Sequence, residues 1–150
     1  MELILWRHAD AEDGFPDTLR QLTATGQEQA RRMSKWLQSQ LPDKVTIKVS
    51  PAMRTQQTAM ALGLVFETCP EVGPGARVID ILAVANWPDD QGAVLIVGHQ
   101  PTLGQVVNQL IPAASMGMGV KKGSVWWIKS QQNNGIVESK LHTVMYPEML

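Results

Sequence analysis

The chain has 150 residues, a formal net charge of -1, 44% apolar residues and one cysteine, Cys69. That length suits one compact domain able to bury its own core, so residues 1–150 are expected to form a single domain, with Cys69 as a buried filler. Balanced charge without long like-charge runs speaks against a nucleic-acid partner, one cysteine excludes an intramolecular disulfide, and no apolar run approaches the ~20 residues of a membrane helix. With no basic-then-apolar leader ahead of the first strand, a cytoplasmic location is expected.

Leu3-Ile4-Leu5-Trp6 is a short apolar run that fits a buried parallel strand and ends in Arg7-His8. Asp10 to Arg20 is a polar stretch with Gly14 and Pro16 and no period, hence an exposed rim. Thr23 or Thr25 can cap the next helix, with Glu28 three residues beyond Thr25 as in a capping box. Ala30, Met33, Trp36, Leu37 and Leu41 form its apolar stripe, which ends before Pro42. Val45, Ile47 and Val49 alternate with polar residues as a second strand, followed by Ser50-Pro51 and a helix over residues 52–62. Leu64-Val65-Phe66 is expected to be a short third strand.

After the irregular stretch of Pro70, Gly73, Pro74 and Gly75, a helix is predicted over about residues 76–86. Ala93 to Val97 is the strongest buried-strand signal and ends in Gly98-His99. A helix with Pro101 in its first turn and Leu103, Val106, Val107, Leu110 and Ile111 on its apolar face then runs to Pro112. Residues 113–123 are expected to be a mobile connection, in which Met116, Met118, Lys121 and Lys122 either line a groove or form a solvated loop. Two strands, 124–129 and 136–144, are joined by a turn over Gln131 to Gly135. This order predicts an α/β fold, a three-layer αβα sandwich with a mainly parallel sheet and a C-terminal β-hairpin.

The first strand ends in Arg7-His8, the second leads through Ser50-Pro51 to Arg54, and the strongest ends in Gly98-His99. Neighbouring parallel strands would bring these ends into one crevice, where α/β sheets bind ligands. Two arginines and two histidines suit a phosphoryl group, whose transition state spreads charge over its equatorial oxygens and is met by planar guanidinium forks. A neutral imidazole can attack phosphorus while the other donates a hydrogen bond, so neither a metal nor a cofactor is called for. Gly98 either lets phosphate approach the backbone or makes a plain strand-to-helix turn.

Leu3 to Ala9, Arg20 to Gly26, Ser50 to Thr58 and Val97 to Pro101 resemble, in order and spacing, the motifs of the histidine phosphatase (phosphoglycerate mutase-like) superfamily. The short length and the segment Arg20, Leu22, Thr23, Gly26 are most similar to the small SixA-type phosphohistidine phosphatases. The resemblance implies that His8 is the nucleophile, phosphorylated in passing, and that Arg7, Arg54 and His99 clamp the phosphate. It makes Arg20 a candidate for phosphate or substrate binding, with a solvated loop arginine as the alternative. Glu71 is the position to test as general acid, with Asp10 and Glu12 behind it. Ala9 stands where the family usually has glycine, a small change that activity is expected to survive.

The implied substrate is a phosphohistidine-bearing protein such as a histidine-containing phosphotransfer domain, with a small phosphomonoester as the second choice. A phosphate-binding or interaction module without turnover is the rival from another class. His142 lies outside every matching motif and is expected at or near the surface. Trp126 and Trp127 point to opposite sheet faces, one expected in the core and the other at the sheet surface or an interface, and Trp6 is expected to pack beneath the sheet.

Overall fold

The computed structural model describes residues 1–112 and 119–150. Strands β1 (Glu2–Arg7), β2 (Val45–Val49), β3 (Glu67–Thr68) and β4 (Ala93–Gly98) alternate with helices α1 (Ala24–Gln40), α2 (Met53–Met60), α3 (Val78–Val84) and α4 (Thr102–Leu110). The chain closes with the hairpin β5 (Val125–Asn133) and β6 (Ile136–Met145). One six-stranded sheet runs in the order β3-β2-β4-β1-β5-β6, parallel from β3 to β1 and antiparallel through the hairpin.

Alternation of side chains across the central strands makes the three layers. In β1, Leu3 and Leu5 pack with Ile81, Leu103, Val106 and Val107 beneath α3 and α4. Ile4 and Trp6 pack on the other face with Met33, Leu37, Ala59 and Leu62 beneath α1 and α2. All six residues of β4 are buried, as expected of a strand covered on both faces. The αβα sandwich is therefore the observed fold.

Several local expectations are corrected. Thr23, not Thr25, caps α1 by accepting from the Gly26 N–H, while the Glu28 carboxylate pairs with Arg31 and Arg32 instead of returning to the helix start. The backbone decides this, because the Thr23 N–H is held by the Asp10 carbonyl and fixes where the helix begins. The third strand lies at Glu67–Thr68, not at residues 64–66, since Lys48 and Val49 set its register and leave Val65 95% exposed. The hairpin turn shrinks to Asn134-Gly135, both at positive φ as a type I′ turn requires, and the polar run Gln131 to Asn133 continues the ladder. Trp126 and Trp127 are both buried, because Trp36 of α1 meets Trp127 edge-on at 6.4 Å and covers the face expected to be open. The exposed His142 ring lies 5.4 Å from the Trp127 ring.

Met116 and Met118 lie outside the described residues. Beyond them, the expected solvated connection is tied to the fold: Val120 is buried, Lys122 pairs with Asp10 at 2.9 Å, and Lys121 sits over the Tyr146 ring.

Gly26 explains the glycine of its motif. A Cβ there would lie 1.9 Å from the Asp10 carbonyl oxygen. Glycine to alanine inside a helix ordinarily gains up to ~1 kcal/mol, but overpacking against backbone costs about 1–3 kcal/mol, so the clash wins. Gly26→Ala is expected to lower the urea midpoint and, by displacing the Asp10 backbone two residues from His8, to reduce activity.

Candidate active site

The sheet register brings the strand ends together. Arg7 of β1 pairs with Gly98 of β4, and Val49 of β2 pairs with Val97. Beyond the ladder the His8 N–H still donates to the Gly98 carbonyl at 3.1 Å, and the Ser50 N–H to the Val97 carbonyl at 3.1 Å. His8, Ser50 and His99 thus leave three adjacent strands side by side, with the His8 and His99 rings 5.4 Å apart. Arg54 enters from the first turn of α2, and Arg7 is steadied by a bond from Nη1 to the Val120 carbonyl at 3.0 Å. The four residues expected at the centre are brought together.

His8 is buried, and its Nδ1 lies 2.7 Å from the Ala9 carbonyl. A carbonyl only accepts, so the ring proton is on Nδ1 and the Nε2 lone pair is free. Burial lowers the His8 pKa to about 4; the Ala9 hydrogen bond opposes this, and the charges of Arg7, Arg54 and Arg20 add to it. His99 falls to about 3, through burial and then the charge of Arg54. Both rings are therefore neutral between about pH 5 and 8. Since attack needs the unprotonated ring, protonation of His8 is expected to lower kcat/KM only as pH drops through about 4, so any break at about 6 should follow the second ionisation of the substrate phosphoryl group and shift with the substrate used.

Arg54 is 5% exposed, and both of its terminal nitrogens bond to Asp17, Nη1 to the carbonyl at 2.9 Å and Nη2 to Oδ2 at 3.1 Å. Arg20 meets the same carboxylate through Nη1 at 3.3 Å and bonds from Nε to the Glu12 carbonyl at 2.9 Å. Arg20 is thus part of the rim, and its charge reaches His8. Asp17 sits in a 3-10 turn, Asp17–Leu19, in a polar loop that offered no periodic signal. Among the described residues, Arg7 Nε, Arg54 Nε and His99 Nδ1 are buried without a hydrogen-bond partner. An anion placed among them would take up donors that the fold has already desolvated.

The polar run after Ser50 is structural support. Gln56 Nε2 holds the Ser50 carbonyl, the Thr55 hydroxyl lies between the Ala52 and Ser50 carbonyls at 2.7 and 2.9 Å, Gln57 Oε1 accepts the Leu22 N–H, and Thr58 Oγ1 accepts the Ala9 N–H at 3.0 Å while donating to the Arg54 carbonyl. A helix that binds loops through its inward face needs polar residues where a core helix has apolar ones. The Ala9 methyl lies in a small buried cluster with Leu22 and Ala30.

Other candidates are placed differently. A Cβ on Gly98 would be in ordinary contact with Leu103 of α4 at 3.4 Å, and the Gly98 carbonyl accepts the His8 N–H at 3.1 Å. Glu71 is exposed in the turn Pro70–Val72, and its charge is felt by Lys48 and Cys69. Asp10 bonds Lys122 and Thr23, which hold its carboxyl below the usual range, and Glu12 is exposed on the rim. Cys69 is buried and free, its thiol pushed up by burial. Among the described residues no group of three His, Cys, Asp or Glu side chains could hold a metal ion, and no helix is long and apolar enough to cross a membrane.

Comparison with known proteins agrees with this geometry. Residues 3–81 match the family model of the histidine phosphatase superfamily (branch 1). The chain is 31% identical over 127 residues to the phosphohistidine phosphatase SixA of Escherichia coli K12, covering 79% of each protein. It is 34% identical over 129 residues to the SixA homolog of Haemophilus influenzae, covering 73% of this chain and 77% of that one. The solved structure of the protein histidine phosphatase SixA complexed with tungstate superposes with a TM-score of 0.79 at 26% identity, covering 99% of both chains. With Arg7, His8 and His99 at the carboxyl ends of adjacent parallel strands, Arg54 beside them in the first turn of α2, and this match over more than half its length, the chain belongs to the histidine phosphatase superfamily, branch 1.

Proposed function

We propose that this protein is a phosphohistidine phosphatase that removes the phosphoryl group from a histidine of a cytoplasmic protein, such as a phosphotransfer domain, through a covalent intermediate on His8. The observation that carries the reading is the free Nε2 lone pair of a neutral, buried His8 beside the unpaired donors of Arg7, Arg54 and His99. The name of the Escherichia coli relative supports the substrate class.

In the proposed reaction, Arg7, Arg54 and His99 hold the phosphoryl oxygens while His8 Nε2 attacks phosphorus in line. The phosphorus–nitrogen bond to the substrate imidazole breaks, and that ring leaves with the bonding pair and is protonated. Water then attacks the phosphorus on His8, releasing phosphate and returning the lone pair to Nε2. Preorganised donors aimed at the developing charge supply most of the acceleration. Imidazole is a better leaving group than an alkoxide, so general-acid help matters less for phosphohistidine than for an ester. Glu71 remains the carboxylate to test in that role, with Arg20 as a contact for the incoming substrate.

The test compares a phosphorylated histidine-containing phosphotransfer domain with an aryl phosphate, both in chelator, using wild type and Glu71→Gln. Rapid release from the phosphoprotein, with Glu71→Gln affecting the ester more than the phosphohistidine, is the expected result. Cleavage of the ester alone would make the substrate a small phosphomonoester, and no turnover of either would leave a phosphate-binding module.

A further inference from the structure

Ser50 has no exposed surface, and its Oγ lies 2.7 Å from His99 Nε2. The same oxygen accepts the Ala52 N–H at 3.3 Å. The Ser50 carbonyl accepts from Gln56 Nε2 at 2.8 Å and its N–H donates to the Val97 carbonyl at 3.1 Å, so the residue is pinned at both ends. If His99 donates to phosphate, as the proposed function has it, the nitrogen that meets the phosphate must carry a hydrogen.

We propose that Ser50 is a positioning residue whose hydroxyl donates to His99 Nε2 and so holds the His99 proton on Nδ1, leaving that nitrogen as the phosphate donor. This role for Ser50 rests on the proposed function, in which His99 binds phosphate. A hydroxyl has one hydrogen to give. The Ala52 N–H already uses one lone pair of Ser50, and the acceptor beside Oγ among the described residues is His99 Nε2. With the proton on Nε2 instead, the buried Ser50 hydrogen would have no acceptor there, at the cost of an unmade buried bond. His99 Nδ1 would then present a lone pair to phosphate oxygens, which repels them.

His99 is neutral at working pH, so one nitrogen carries the proton and its neighbour decides which. His8 is anchored through Nδ1 to the Ala9 carbonyl and exposes a lone pair; His99 is anchored through Nε2 to the Ser50 hydroxyl and keeps a hydrogen on the unpartnered Nδ1. One tautomer, held by opposite nitrogens, yields a nucleophile and a hydrogen-bond donor.

Long-range proton–nitrogen correlation spectra of the full chain labelled with nitrogen-15 in histidine test this directly, because the tautomer is read without turnover. The three histidines are assigned with single His→Gln variants. The expected wild-type spectrum at pH 7 shows His99 as the Nδ1–H form. Ser50→Ala is expected to move His99 toward the Nε2–H form while leaving the His8 signature in place, and to lower kcat/KM by about tenfold, the worth of one hydrogen bond. Ser50→Thr, which keeps the hydroxyl, is expected to restore both. A wild-type His99 in the Nε2–H form, or a tautomer unaltered by Ser50→Ala, would overturn the proposal. His99→Ala tests the underlying reading separately: full turnover there would remove His99 from phosphate binding whatever its tautomer.

Discussion

His8→Ala is expected to lower kcat/KM for phosphate release by at least about a thousandfold, with little change in fold or in phosphate binding. His8 brings the one free imidazole lone pair in the arrangement, Nε2, because its Nδ1 is committed to the Ala9 carbonyl and His99 Nε2 lies against the Ser50 hydroxyl. Removing the side chain leaves Arg7, Arg54 and His99 to orient and polarise a phosphoryl group, but nothing to form the first covalent bond. Residual turnover then comes from water attacking a bound phosphate, and loss of a nucleophile in comparable enzymes costs on the order of a thousandfold to a millionfold. Steady-state kinetics in chelator, with a thermal melt and an orthovanadate titration on the same variant, separates lost chemistry from lost fold or lost anion binding. Activity within about tenfold of wild type would mean that water attacks directly and His8 only assists.

Arg54→Ala is expected to cost about a hundredfold to a thousandfold in kcat/KM, the usual loss for a preorganised donor aimed at developing charge. Arg54 is buried with its Nε unpaired, so its charge has been carried into the crevice before any substrate arrives. Its terminal nitrogens hold Asp17, which also meets Arg20, so the substitution removes a clamp and the anchor of the rim together. Lysine is not expected to rescue it, because a single ammonium cannot reproduce a planar fork that holds the Asp17 carbonyl and carboxylate at once. The urea midpoint should fall only modestly, since the Arg54–Asp17 pair is 55% exposed on the Asp17 side. An Arg54→Lys variant with wild-type kinetics would show that charge alone suffices.

The layers and the central residues were legible in the sequence for a local reason. Continuous apolar runs such as Leu3 to Trp6 and Ala93 to Val97 mark strands buried on both faces, and the residues just past them must emerge at the crevice. Arg7, His8 and His99 were therefore found from strand ends alone. What stayed hidden depends on partners distant in sequence. The contact between Ser50 and His99 spans 49 positions and follows from the register of β2 on β4. Asp17 lies in an aperiodic loop, so nothing local distinguishes it from the other acids there until Arg54 is placed beneath it. Trp127 is buried because Trp36 arrives from α1, and β3 starts where the end of β2 offers backbone partners, not where the apolar run falls.

Transfer of the phosphoryl group from a protein histidine to His8 is tested most directly by rapid quench. Wild type and His8→Ala are mixed with a phosphotransfer domain labelled with phosphorus-32 on its histidine, stopped in alkali within the first turnover, and mapped by peptide. The expected result is alkali-stable, acid-labile label on the peptide carrying His8 in wild type, decaying to free phosphate, and no label on the variant. Phosphate released by His8→Ala at the wild-type rate, or released by wild type with no label ever reaching His8, would contradict it.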